Sequence, residues 1–470
     1  MASVDAAASQ SAQVSHLRGA LGVLQAELTN QGGALSDKLH GGETVVSNIQ
    51  RRLQVLEGQL QQTLAQQPAG SAVPAAPLAV RVQPPPPPPP PLSFSHSDPV
   101  AVGSGSGARA PLFGAEASGE VAQLGMDTAV LMICYNRPDY LERSLKAIRR
   151  YHPGTGHVPI VISQDGDVAN VNVVIEGFKK LMEADGVRVI HLRHKQGRDG
   201  SNGYFKLAQH YGWALEETFN HLGDHGVVET TRVQRVIMLE DDLEIAPDFF
   251  DYFAATAPLL DDPAENLLGV SAWNDNGQEG HIKDATKLYR SDFFPGLGWM
   301  MNRAVWEDLG PKWPKAYWDD WLREPPQRKG RQFIRPEVCR TYHFASKGTS
   351  NNEFSHFLTE IRLNKDPVPF RSMNMNYLRR SVYDPALMAE LTSAPLVHAT
   401  QARNGDLPAG ATSVRVEYRD NREFEMLSRQ LGIMDNIKAN VPRAAYHGVV
   451  TVNIRGVQVH VTLPLDRTGL

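Results

Sequence analysis

The chain has 470 residues, too many for one ordinary core, so two or more domains joined by connecting segments are expected. Lys and Arg number 47 against 52 Asp and Glu, and the resulting formal charge of −5 argues against a nucleic-acid binder. Two cysteines exclude a disulfide-rich module, no apolar run approaches the roughly 18–20 residues of a membrane helix, and the opening MASVDAAASQ lacks the basic and apolar regions of a signal peptide, so the chain reads as soluble.

Residues 1–66 read as a helical stem. Val14, Leu17, Leu21, Leu24 and Leu28 step by three and four, as do Val46, Ile49, Leu53, Leu56 and Leu60. Each set covers only about two heptads, with Gly32-Gly33 and Gly41-Gly42 between them; a self-associating coiled coil and solitary amphipathic helices both fit. Residues 67–127 change to Pro, Ala, Gly and Ser, with Pro84 through Pro91 consecutive. Such a run favours an extended polyproline II rod, because φ is fixed and no amide can donate, and it reads as a linker.

From Thr128 strand-like and helix-like segments alternate. TAVLMIC is followed by Asn136-Arg137-Pro138 and the helical PDYLERSLKAIRRY, with Pro138 suited to a first helical position. VPIVIS ends on Gln164-Asp165-Gly166, and VRVIHL is the next strand. GYFKLAQHYGWALEETF then carries Leu207, Tyr211, Leu215 and Phe219 at helical spacing, and RVIMLE ends on Glu240-Asp241-Asp242. The alternation predicts an α/β fold, a mostly parallel sheet with helices on both faces, over residues 128–380. Ligands bind beyond the carboxyl ends of such strands, so Arg137, Asp165 and the acidic triplet are expected on one rim. Residues 381–470 read as a smaller α+β portion, in which VVTVNI, Arg455-Gly456 and VQVHVTL form a hairpin packed as a satellite layer.

Several clusters carry the polarity that chemistry needs. Three acids at the end of an apolar strand fit a divalent cation shared with substrate phosphates; they also fit a solvated loop with helix-capping acids, since Asp248 soon follows. Trp318-Asp319-Asp320-Trp321 fits a general base, tuned by desolvation or held by hydrogen bonds, and equally a surface aromatic clamp with ordinary acids. The glycines of Asn274-Asp275-Asn276-Gly277 and Phe294-Pro295-Gly296-Leu297-Gly298-Trp299 let the backbone approach a ligand closely, or simply make the turns. His210, beside Lys206 and Trp213, fits a structural histidine better than a ligand contact. Lys347-Gly348-Thr349-Ser350, followed by two asparagines, reads as a polar surface loop. No Walker loop, zinc-spaced Cys/His set or Gly-x-Ser-x-Gly elbow is present in the sequence.

Taken together the motifs are more specific. LEDDLEIAPDFFDYF, VSAWNDNG, YRSDFFPGLGW, PKWPKAYWDDWLR, RKGRQFIRPEVCRT and VPRAAYHGVVTVNIRG, in this order between about Thr128 and Leu463, closely resemble the N-acetylglucosaminyltransferase I family, the alpha-1,3-mannosyl-glycoprotein 2-beta-N-acetylglucosaminyltransferases. The resemblance implies the GT-A nucleotide-sugar transferase fold. It also implies inverting, Mn²⁺-dependent transfer of GlcNAc from UDP-GlcNAc to O2 of the alpha-1,3-linked mannose of a five-mannose N-glycan on glycoproteins. By that pattern Asp242 holds the metal, Asp241 faces the ribose and Glu240 the transferred sugar. Arg137, Asp165 and His210 hold the uridine diphosphate, and Ser350 touches a phosphate from a loop that orders over the donor. Asp319 is the catalytic base, with Trp318 lining the same pocket.

Three departures accompany the likeness. The family's members are type II Golgi membrane proteins facing the lumen, and this chain carries no anchor-like run; the stem and linker fit such a protein whose start is missing or whose gene model is truncated. Gly166, Gly269 and Phe333 stand at positions of family cysteines, so Cys134 and Cys339 are either free or paired with each other. The acceptor pocket is less recognisable than the donor pocket. Two rival readings therefore stand beside the main one: transfer to O-mannose on protein, with the same donor, metal and base, and a lectin-like relative without turnover.

Overall fold

The computed structural model describes residues 124–195, 203–222, 232–345 and 355–470. The expected stem, the proline run and Ser350 lie outside the described residues. β1 (Thr128–Cys134) is buried along its whole length, as a central parallel strand requires. It leads into α1 (Pro138–Tyr151), where Pro138 occupies the first turn and its missing N–H costs nothing. The alternation continues through β2 (Ile160–Asp165), α2 (Ala169–Ala184), β3 (Val189–His194), α3 (Gly203–Asn220) and β4 (Arg235–Glu240). Then follow β5 (Leu243–Ile245), α4 (Phe249–Asp261), β6 (Leu267–Ser271), β7 (Leu288–Ser291), β8 (Trp299–Asn302), α5 (Arg303–Leu309), α6 (Trp318–Arg323), β9 (Gln332–Pro336) and β10 (Thr341–His343).

Among the described residues eight strands form one sheet in the order β3-β2-β1-β4-β8-β6-β9-β7. Neighbours are parallel at β3–β2, β2–β1, β1–β4 and β6–β9, and antiparallel at β4–β8, β8–β6 and β9–β7. The sheet is thus mostly parallel, as the alternation predicts. Side chains of β1 alternate between its faces: Val130 and Met132 join Leu141, Ile175 and Phe253 on one side. Ala129, Leu131 and Ile133 join Tyr211, Leu215 and Trp318 on the other. Both faces are therefore covered by helices, which leaves the strand ends as the place for polar chemistry.

β5 and β10 pair antiparallel beside that sheet, with His343 opposite Leu243. What fixes them is Asp248, at the N-cap position of α4. Its side chain makes no cap hydrogen bond. Instead Oδ2 accepts from Arg340 Nε at 3.2 Å and Nη2 at 3.0 Å, from Asn364 Nδ2 at 2.9 Å and from the Val368 amide at 3.2 Å. Asp248 and Arg340 are both fully buried along their side chains, so each needs the other. Gly298, at φ +91°, has a similar local reason: a Cβ there would lie 2.6 Å from Thr341 Cγ2. Its close approach is to the protein's own β10, not to a ligand.

The C-terminal part contains α7 (Arg380–Ser393), α8 (Ala399–Asn404), β11 (Ser413–Glu417), α9 (Asn421–Leu431), the short pair β12 (Ile437–Lys438) and β13 (Val441–Pro442), and β14 (Val450–Ile454) with β15 (Val457–Thr462). β14 and β15 are an antiparallel hairpin. Arg455 at φ 52° and Gly456 at φ 84° supply the two left-handed residues that a two-residue turn needs. β11 adds a parallel third strand to β15, a pairing the sequence reading lacked. Cys134 and Cys339 are free and buried, and burial pushes both thiols up, Cys339 to about 12. No helix among the described residues is long and apolar enough to cross a membrane.

Replacing Asp248 by Ala strands a buried guanidinium, and the expected loss is about 3–5 kcal/mol of unfolding free energy. Urea denaturation of the two proteins measures it; an unchanged midpoint would show that the pair does not hold β10 in place.

Candidate active site

β1, β2, β3 and β4 are parallel neighbours, so their carboxyl ends share one edge of the sheet. Arg137 follows β1, Asp165 ends β2, His194 ends β3 and Glu240 ends β4. The convergence expected from the sequence is present.

The acidic end of this rim is buried. Asp241 is 2% exposed and Asp242 5%. Arg137 reaches across from β1 and forms ion pairs with both, the one to Asp242 Oδ2 at 2.8 Å. Glu240 Oε1 accepts from the Tyr211 hydroxyl at 2.9 Å. Burial pushes Glu240 up to about 7, with repulsion from Asp242 adding to it and the Tyr211 hydrogen bond opposing. Burial likewise raises Asp241 to about 6 against the pull of Arg137. Asp242 goes the other way: burial opposes its charge, but His343 and Arg137 beside it hold the carboxyl below the usual range. His343 Nε2 lies 3.6 Å from Asp242 Oδ2.

Next along the rim is a slot of flat rings. His194 Nδ1 and Asp165 Oδ1 are 2.7 Å apart. The His194 ring stacks on His210 at 5.2 Å and 14°, and packs on Trp213 at 5.0 Å. His210 is 2% exposed, with Nε2 at 2.8 Å from Ser163 Oγ. Burial lowers its pKa to about 4, so the ring is neutral near pH 7. Planar rings with a carboxylate at the edge suit a planar heterocycle with N–H groups.

α6 completes the site. Trp318 is buried and stacks on Tyr211 at 4.5 Å, so the ring whose hydroxyl holds Glu240 also seats the helix that carries Asp319. Arg323 Nη1 donates to Asp319 Oδ2 at 2.9 Å and to Asp320 Oδ1 at 2.8 Å. Lys438 Nζ takes the other oxygen of Asp320 at 3.1 Å. Asp320 is thus bound by two cations. Asp319, with a side chain 43% exposed, is bound by one and is the acid available to a substrate.

Residues 112–469 match the GNT-I family. Over 343 residues the chain is 41% identical to the alpha-1,3-mannosyl-glycoprotein 2-beta-N-acetylglucosaminyltransferase of Arabidopsis thaliana, a match covering 71% of this chain and 72% of that one. The chain belongs to the GNT-I family. It is a glycosyltransferase of GT-A fold, an enzyme type that takes a nucleotide-sugar donor and a glycan acceptor. Among solved structures it is similar to the mannosyltransferase PcManGT from Pyrobaculum calidifontis in complex with GDP-Man and Mn²⁺, at 15% identity and a TM-score of 0.34, covering 59% of this chain and 78% of that one. It is also similar to residues 1–349 of S. aureus TarS, at 11% identity and a TM-score of 0.32, covering 57% and 73%. At those values neither likeness bears on donor or acceptor.

The acidic end of this GNT-I site fits a divalent cation on one observation. Among the described residues, Asp242 Oδ1 is buried without a hydrogen-bond partner. Among the described residues no group of three or more His, Cys, Asp or Glu side chains is placed to hold an ion alone. The open Asp242 oxygen would give an ion one protein ligand, with substrate phosphates and water completing the shell.

Five residues at the site escaped the sequence reading. His194 was findable, because it ends a strand on the same rim. Arg323 was findable too, four residues after Asp319 on one helix face. Tyr211 reads as a core position from its spacing, and its hydroxyl partner lies on another element. His343 and Lys438 come from segments about 100 residues or more downstream of the acids they face, for which the sequence has no local signal.

Glu240 carries a stability consequence. Its folded pKa, about 7, exceeds the ordinary 4.5, so the native state holds the proton more tightly than the unfolded chain. The corresponding stability is present below about pH 4.5 and is lost as pH rises through 7. In EDTA, Glu240→Gln is expected to gain about 2–3 kcal/mol over wild type at pH 8 relative to pH 4.5, measured by urea denaturation. Parallel pH dependences of the two proteins would contradict this.

Proposed function

We propose that this protein transfers GlcNAc from UDP-GlcNAc to O2 of the alpha-1,3-linked mannose of a five-mannose N-glycan, inverting the anomeric centre with Mn²⁺ as cofactor. The setting that goes with this activity is the lumenal side of the Golgi membrane. The observation that carries the reading is the Tyr211 link. It sets the acid-rich strand end, which suits a diphosphate and its cation, against the helix bearing Asp319. The 41% identity to a named enzyme of this activity supports the same donor and acceptor.

The residues divide the work. Asp165 accepts from the uracil N–H in the slot lined by neutral His210, and Asp241 meets the ribose hydroxyls. Arg137 and Ser350 hold the diphosphate, Asp242 holds the cation, and Glu240 orients the GlcNAc ring against Trp318. When bound, the cation neutralises the departing diphosphate, so no acid is needed to protonate it. Asp319 takes the proton from the mannose O2 hydroxyl as that oxygen attacks the anomeric carbon from the face opposite UDP. The C–O bond to mannose forms, the C–O bond to UDP breaks, and the single displacement inverts the centre. Arg323 holds Asp319 in position through Nη1.

The test is transfer to a five-mannose N-glycan and to an O-mannosyl peptide, each with Mn²⁺ and with EDTA, by wild type and Asp319→Asn. The expected result is Mn²⁺-dependent transfer to the N-glycan only, reduced at least 10²–10⁴-fold in the variant, as estimated for loss of a general base. Transfer to the peptide would move the acceptor to O-mannose. Donor binding with no transfer to either would point to a lectin-like relative.

A further inference from the structure

Tyr317 is a bulky residue in the left-handed region, at φ 50° and ψ 46°, immediately before α6. Aromatic side chains rarely adopt that conformation, and its cost persists only where the surroundings hold it. Here the turn sends two successive rings in opposite directions. Trp318 goes inward, 7% exposed, onto Tyr211, whereas Tyr317 goes outward and stays 44% exposed. One face of the Tyr317 ring is stacked on Tyr204, at 4.7 Å and 26°, so the ring is fixed in place. An exposed aromatic contributes little to the core. Two residues on is Asp319, the carboxylate left available on this helix.

We infer that Tyr317 is a stacking platform for the acceptor, receiving the C–H face of the mannose ring whose hydroxyl Asp319 deprotonates. The inference rests on the transfer reaction proposed above and names the protein surface that recognises its acceptor. A pyranose presents axial C–H groups on one face and hydroxyls at its rim. A rigid, half-exposed aromatic ring binds the apolar face at little entropic cost, while the hydroxyls remain free for polar partners. Trp318 faces inward toward the donor side and Tyr317 faces outward, so Tyr317 acts on acceptor affinity and not on UDP-GlcNAc.

Two substitutions separate the ring from the turn. Tyr317→Asn removes the ring but keeps a residue that tolerates the left-handed conformation, and Tyr317→Phe keeps the ring without its hydroxyl. The acceptor KM for the five-mannose glycan is expected to rise about tenfold in the Asn variant, as losing one stacked ring does elsewhere, and to stay within about twofold in the Phe variant. The UDP-GlcNAc dissociation constant from calorimetry and the thermal midpoint should match wild type in both. An unchanged acceptor KM in Tyr317→Asn, with wild-type transfer intact, overturns the platform but leaves the proposed reaction standing. Equal losses in Phe and Asn overturn stacking in favour of the hydroxyl. Absence of transfer by the wild type removes the reaction and the platform together.

Discussion

Three consecutive carboxylates, with Asp241 and Asp242 almost wholly buried, sit at the end of an apolar strand. Burying like charges is unfavourable unless each is paired or protonated, and among the described residues no cluster of cations covers all three. Arg137 covers two, Tyr211 gives Glu240 one neutral donor, and His343 stands beside Asp242. The remaining imbalance is visible in the raised carboxyls of Glu240 and Asp241 and in the partnerless Asp242 Oδ1. A site built this way can take positive charge from outside, and in the proposed reaction the donor's cation would supply it.

The surrounding scaffold serves to hold that imbalance still. α3 is the main connector, because neighbouring residues on a helix point in different directions whereas residues three apart share a face. His210 faces Ser163 and His194, Tyr211 faces Glu240 and Trp318, and Trp213 faces His194. One helix therefore sets the spacing of the stacked rings, the acids and the helix that carries Asp319. From the other side, the buried Asp248–Arg340 pair anchors β10, and with it His343, against the strand that follows the triplet.

Much of this was legible in the sequence, for identifiable reasons. Apolar runs alternating with helical spacing are local signals, and the rule that parallel strands present their ends together places Arg137, Asp165 and the triplet without coordinates. The roles of Asp319 and His210 were not legible from pattern alone. A tryptophan-flanked acid pair and a histidine beside a buried stripe each fit a bland reading, and only resemblance to the family singled them out. The β11–β15 pairing and the contacts of His343, Lys438 and Arg340 are long-range, and no local periodicity encodes them. The turn glycines were ambiguous for a different reason: Gly298 does permit a close approach, but to Thr341.

The central claim is that Asp242 and a divalent cation together hold the donor diphosphate on this rim. Calorimetric binding of UDP-GlcNAc, with Mn²⁺ and with EDTA, by wild type and by Asp242→Asn, tests it most directly. The account predicts tight binding only for wild type with Mn²⁺, weakened by about 100-fold or more when either the cation or the carboxylate is removed. Equal affinity in EDTA, or in the variant, would contradict it.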